Sequence, residues 1–137
     1  MRRIYITHCS GTKDATLKGL ITEVPPDKLY ISAPIQRFMN ICKEKKVDWA
    51  IFSDEYGVWF PWVKHKWYDK PPDRVTTEEF INLVEDFERK LQDYDEVWFY
   101  YNPGRFHKVY RRLIETVNSR QNLKQKIQEF SCIYEIE

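Results

Sequence analysis

Cysteine is scarce in this chain. Only Cys9, Cys42 and Cys132 occur, an odd number, widely spaced and without a C-x-x-C pair. That spacing argues against a disulfide framework and a zinc site and fits a reducing, cytoplasmic compartment. Long apolar runs are missing as well. None approaches the roughly 18 residues of a membrane span, so no membrane partner is expected. Met1-Arg2-Arg3 leads into an apolar run of only about six residues, too short for a secretory signal. Net charge is nearly absent: 22 Lys and Arg against 21 Asp and Glu leave +1, which argues against tight, indiscriminate duplex binding. The phosphate loop G-x-x-x-x-G-K-[ST] does not occur. No internal repeat or linker is visible, and no motif calls for a cofactor or a metal.

What is present points to one folded domain. A chain of 137 residues with 16% aromatic side chains can build a single core without staples and is not disordered. Its charges are unevenly placed. Thr76 to Glu96 holds eight acids and two bases, and Asn102 to Lys126 holds seven Lys or Arg and one acid, Glu115. Two solvated helix faces of opposite sign explain this, and so does a basic face for phosphates.

Three apolar runs end in polar loops. Ile4 to His8 stops at Cys9-Ser10-Gly11-Thr12-Lys13, Trp49 to Phe52 at Ser53-Asp54-Glu55-Tyr56-Gly57, and Val97 to Tyr100 at Asn102-Pro103-Gly104-Arg105. Read as parallel strands, they bring all three loops to the carboxyl edge of one sheet, where open α/β sheets bind ligands. Between them lie helical patterns. Ile35, Phe38, Met39 and Cys42 repeat at helical spacing behind Pro34, which fits a first turn. Thr76 to Glu79 reads as a capping box ahead of Phe80, Leu83, Val84, Phe87 and Leu91. A third helix starts near Gly104, and Ile127 to Ile136 reads as a last strand containing Cys132. The expectation is a three-layer α/β/α domain over residues 1–137. Its sheet is mainly parallel with about four strands, and 2-1-3-4 is one order the right-handed crossovers allow.

Several residues on that edge carry chemistry. Lys13 can meet a phosphate or carboxylate, or act as an amine nucleophile if burial lowers its pKa. Cys9 is a packed thiol, or a nucleophile if a cation or a histidine lies beside its sulfur, with His107 as the candidate partner. Glu55 is a candidate general base, and Tyr56-Gly57 suggests a tight turn that admits a ligand. Gly104, Arg105 and His107 begin a helix whose free N–H groups favour anions. Trp62, Trp67 and Tyr68 alternate with Lys64 and Lys66, as base stacking with phosphate contact requires. A loop folded over its own tryptophans accounts for the same pattern.

The order of these motifs resembles a known family. Cys9-Ser10-x-x-Lys13, Leu29-Tyr30-x-Ser32, Ser53-x-x-Tyr56-Gly57 and Tyr68-Asp69 are similar to small uncharacterised α/β domains with Cys-x-x-Thr-Lys, Leu-Tyr-x-Ser, Ser-Ala-x-Tyr-Gly-Leu and Tyr-Asp motifs. The same succession, over about residues 4 to 117, resembles the core domain of archaeosine synthase, which modifies the nitrile of a 7-deazaguanine base in transfer RNA. Asp14 stands where the synthase has Pro-Tyr after its lysine. The resemblance implies one site containing Cys9, Ser10, Lys13, Ser32, Ser53, Tyr56, Gly57, Tyr68 and Asp69.

The functional expectation is therefore a domain of nucleotide or nucleic-acid metabolism that recognises a purine-like base and acts on it. Lys13, Cys9, Glu55 and Asp69 are the catalytic candidates. Ser10, Thr12, Ser32, Ser53, Tyr56, Gly57, Trp67, Tyr68, Gly104, Arg105 and His107 are the ligand-binding candidates. Free nucleotides and RNA are both open as partners. The competing reading is a non-catalytic nucleotide- or partner-binding module, which predicts a tryptophan-rich patch without perturbed titrating groups beside it. Oligomeric state is not legible at this level.

Overall fold

The computed structural model describes residues 1–101 and 106–137. In chain order the elements are β1 (Arg3–His8), α1 (Pro26–Leu29), α2 (Ala33–Lys45), β2 (Asp48–Ser53), β3 (Gly57–Trp59), α3 (Thr77–Leu91), β4 (Glu96–Tyr100), α4 (Lys108–Arg120) and β5 (Gln128–Phe130). The strands form one mixed sheet in the order β3-β2-β1-β4-β5. β1 runs parallel to β2 and β4, with Ile6 opposite both Ala50 and Phe99, and β4 runs parallel to β5. Taken alone, the four parallel strands lie second, first, third and fourth in chain order.

The central strands are apolar on both sides because both sheet faces are covered. Ile4, Ile6, Ala50, Phe52, Val97 and Phe99 meet the apolar stripes of α3 and α4. Their neighbours Tyr5, Trp49 and Ile51 point the other way, onto Phe38, Met39 and Cys42 of α2. Cys42 is fully buried there and fills the core. α3 starts at a capping box: Thr76 Oγ1 accepts from the Glu79 N–H at 3.1 Å, and the Thr76 N–H donates to Glu79 Oε1 at 2.9 Å.

Three expectations need correction. The sheet has five strands, because the chain after β2 turns back as the short antiparallel β3. The last strand is only Gln128–Phe130. Ile133 and Ile136 are both buried and three residues apart, a spacing that a 3-10 turn satisfies and strand alternation does not. Cys132 lies outside the strand and is exposed. The third long helix begins at Lys108, where His107 Nδ1 accepts the Val109 N–H at 3.0 Å and serves as the N-cap. Gly104 and Arg105, expected at its start, lie outside the described residues.

Two ion pairs join the opposed charge blocks, and a third ties the basic one to an acid beyond them. Arg120 pairs with Glu88 at 3.0 Å, Lys124 with Asp95 at 3.4 Å, and Arg111 with Glu129. Arg112 lies over the Phe80 ring. The solvated-face reading covers most of this basic stretch.

Gly57 has a structural task. Its φ is +72°, and a Cβ there would sit 2.1 Å from Asp86 Oδ2. That carboxylate accepts the Val58 N–H at 2.8 Å and ties α3 to the return strand. Gly57→Ala combines left-handed strain with loss of this tether, so it is expected to lower stability by on the order of 2 kcal/mol. Urea unfolding measures this directly, and a change below a few tenths would mean the hairpin relaxes freely.

Candidate functional site

A cleft of about 460 Å³ opens at the carboxyl ends of the parallel strands, a size typical of small-molecule sites. β2 lies on one side of β1, and β4, reached next among the parallel strands, lies on the other. The carboxyl end of β1 is therefore a topological switch point, where crossovers diverge and leave a crevice. His8 to Lys13 leave β1 into this crevice, Tyr100 ends β4 beside it, and Asp54 follows β2.

Distant segments are drawn in by backbone pairing. The Asp14 N–H donates to the Leu29 carbonyl at 2.8 Å, and the Ile31 N–H donates to the Thr12 carbonyl at 3.1 Å. This short antiparallel contact places Ser32 on the cleft wall with Ser10, Thr12 and Lys13. The Leu-Tyr-x-Ser element thus joins the Cys9–Lys13 loop despite the long gap in sequence. Pro34, Ile35, Pro71 and Pro72 supply apolar wall.

The floor is an acid that the sequence reading passed over. Asp54 is only 4% exposed. Its Oδ2 accepts from the Cys9 thiol at 3.3 Å and from the Tyr110 hydroxyl at 3.1 Å. Its Oδ1 is buried and has no hydrogen-bond partner among the described residues. Burial raises the Asp54 pKa, while the Cys9 and Tyr110 donors and the nearby Lys13 charge pull it back. Buried polar atoms are almost always paired, so an orphan carboxylate oxygen at a cleft floor marks a place where a ligand donor fits.

The neighbours of Cys9 hold it as a thiol. Burial, together with the Asp54 charge, pushes its pKa up to about 12. His107 is engaged elsewhere: Nδ1 accepts from Val109, and Nε2 donates to Asp73 at 2.8 Å. The sulfur thus has a carboxylate and a phenol beside it rather than an imidazole. Burial also raises the pKa of Tyr30, Tyr68 and Tyr110, so all three phenols are donors at neutral pH. Tyr30 and Tyr68 hydrogen-bond to each other. His8 Nδ1–H donates to the Cys9 carbonyl at 3.0 Å, and its ring stacks on Tyr110 at 4.7 Å. Burial lowers the His8 pKa, which favours the neutral ring.

The remaining candidates divide between cleft and scaffold. Lys13, Ser10, Thr12, Ser32 and His107 line the cleft, and Asp69 stands exposed on its rim. Lys13 Nζ sits 4.4 Å from the Tyr68 ring centroid, so that ring is covered by a cation. Glu55 is exposed and faces a separate surface depression with Tyr56. Ser53 is fully buried, and its Oγ accepts the Glu55 and Tyr56 N–H groups at 3.1 and 3.0 Å. The Tyr56 ring is stacked on His65 at 3.8 Å. Trp67 packs against the apolar cluster of α2 with Lys18 over its ring. Gly57 is closed by Asp86, as described above. Ser53, Tyr56, Gly57, Trp67 and Tyr68 therefore brace the site. Gly104 and Arg105 lie outside the described residues.

Among the described residues, no three His, Cys, Asp or Glu side chains are grouped to hold a metal ion. Likewise, no helix among them is long and apolar enough to cross a membrane. Compared with protein-family models, curated proteins and solved structures, the chain has no match.

Proposed function

We propose that the cleft binds a purine-like base carried by a nucleotide or nucleic acid, and that Asp54 is its acid–base group. The supporting observation is the unpartnered Asp54 Oδ1, a buried acceptor that a ring N–H or an exocyclic amino group would satisfy. In this reading Lys13 meets the anionic part of the ligand, and the hydroxyls of Ser10, Thr12 and Ser32 meet its sugar. Pro34, Ile35, Pro71 and Pro72 flank the ring. The carboxyl of Asp54, with its proton affinity raised, is suited to moving a proton on a bound ring nitrogen. Groups with perturbed proton affinity beside the cleft favour this reading over a purely non-catalytic module. We take the two helical covers as the outer layers of a three-layer α/β/α domain.

Calorimetric titration with purine mononucleotides and the matching nucleosides tests this. Wild type is expected to bind nucleotides more tightly than nucleosides, and Lys13→Ala is expected to erase the difference. Lys13 is half-buried with its ammonium over the Tyr68 ring, so its loss should lower stability by no more than about 1 kcal/mol. Absence of binding by any purine nucleotide, or unfolding of Lys13→Ala, would remove the proposal.

A further inference from the structure

Residues 62–66 lie outside the cleft. Along them exposure alternates: Trp62, Lys64 and Lys66 are exposed, and Val63, His65 and Trp67 are partly buried. The inward set is tied down. The Val63 carbonyl accepts Trp59 Nε1–H at 2.7 Å, the His65 ring lies flat on Tyr56, and His65 pairs with Val24 through the backbone. In extended chain, residues two apart share a side and are about 6.6 Å apart. Lys64 and Lys66 therefore share an outward side, and the exposed Trp62 precedes them on a turn closed by the Val63 N–H donating to the Phe60 carbonyl at 3.1 Å, so the three make an exposed row on a braced segment.

Each member is available for contact. Trp62 is 70% exposed, with one ring face held parallel to Phe60 at 4.8 Å. Neither lysine forms an ion pair among the described residues. Glu23, next to the bridge, is an acid whose charge reaches His65. The segment then runs to the cleft rim, since Asp69 is three residues beyond Lys66 and within about 11 Å of it. A pre-oriented aromatic face followed by two unneutralised ammonium groups suits a stacked base with adjoining phosphates.

We propose that this row is a docking track for single-stranded nucleic acid that leads toward the cleft. Trp62 stacks a base, and Lys64 and Lys66 meet phosphates. The nucleobase reading of the cleft is needed only for where the strand ends. Stacking and phosphate contact do not read the sugar, so RNA and DNA strands are bound alike.

Fluorescence anisotropy with labelled oligouridine, oligothymidine and a duplex of equal length, each roughly ten nucleotides long, provides the test. Both single strands should bind more tightly than the duplex, and Trp62→Ala should weaken both by about tenfold. Lys64→Ala with Lys66→Ala should reduce the slope of log affinity against log salt by about 1.4. Lys64→Glu with Lys66→Glu should weaken binding further while far-UV circular dichroism stays unchanged. Mononucleotide binding should not respond to Trp62→Ala. Variants that bind strands like wild type, or a preference for duplex, would overturn the track even where mononucleotides bind. Strand binding that depends on Trp62 without mononucleotide binding would keep the track and remove the cleft proposal.

Discussion

Asp54→Asn is expected to make the free protein more stable while abolishing nucleotide binding. Asp54 is 4% exposed and its carboxyl has one oxygen without a partner among the described residues. Burial raises its pKa above the ordinary 3.8, so the folded state holds this proton more tightly than the unfolded chain. The sign follows by linkage. Below the unfolded value both states are protonated and the site carries no charge penalty. As pH rises from there through the folded pKa, the native state must bury a charge, and stability falls. Asn stays neutral throughout. Its oxygen can accept from Cys9 and Tyr110, and its amide nitrogen replaces the unpartnered Oδ1.

The gain should therefore be absent in acid and reach roughly 1–2 kcal/mol at neutral pH, the scale of an unsatisfied buried acceptor. At about 4 °C per kcal/mol for a domain of this size, thermal melts at several pH values resolve it. Binding moves the other way, because Asn presents a donor where the base presents one. A neutral-pH loss of stability in Asp54→Asn would mean that the carboxylate is structural and its free oxygen incidental. Stability given up at a site for function is a general pattern, and this residue offers a direct test of it.

The scaffold was more legible than the site. Three apolar runs ending in small-residue loops sufficed to place Cys9 and Ser53 at one sheet edge, because continuous apolar strands imply cover on both faces and parallel crossovers. Thr76 and Glu79 announced a helix start because a capping box is a local device. β3 escaped notice because three residues immediately after a turn carry no periodic signal. The 3-10 turn at Ile133–Glu135 escaped because its apolar spacing was absorbed into a longer apparent strand.

Asp54 was missed in favour of Glu55 for a different reason. Two adjacent acids after a strand are equivalent in sequence, and only the turn decides which one faces inward. Here Ser53 Oγ takes the N–H groups of Glu55 and Tyr56, which rotates Glu55 to solvent and leaves Asp54 below. The available clue was that serine, a residue that commonly folds the next two positions into such a turn. Asp54's partner Tyr110 is 56 residues away, beyond any local pattern. The stacking candidates failed to stand free for a related reason. Tyr56, Trp67 and Tyr68 had closer partners in His65, Lys18 and Lys13.

The thiols provide the second large effect. At pH 8, native protein treated with iodoacetamide is expected to lose the exposed Cys132 thiol quickly and to keep Cys9 and Cys42. Both buried thiols are pushed from 9.0 up to about 12, and only the thiolate attacks. The thiolate fraction is thus lowered about a thousandfold, before any steric shielding. The causes differ between the two. Burial alone acts on Cys42, whereas at Cys9 the Asp54 charge adds to burial. Asp54→Asn should therefore speed alkylation of Cys9 and leave Cys42 unchanged, with Cys42 as the internal control for general opening of the fold. Peptide mass mapping of the three sites over time separates these rates. Modification of Cys9 as fast as Cys132 in the native wild type would mean that its sulfur ionises readily, and the acid–base role assigned to Asp54 would give way to a thiolate nucleophile.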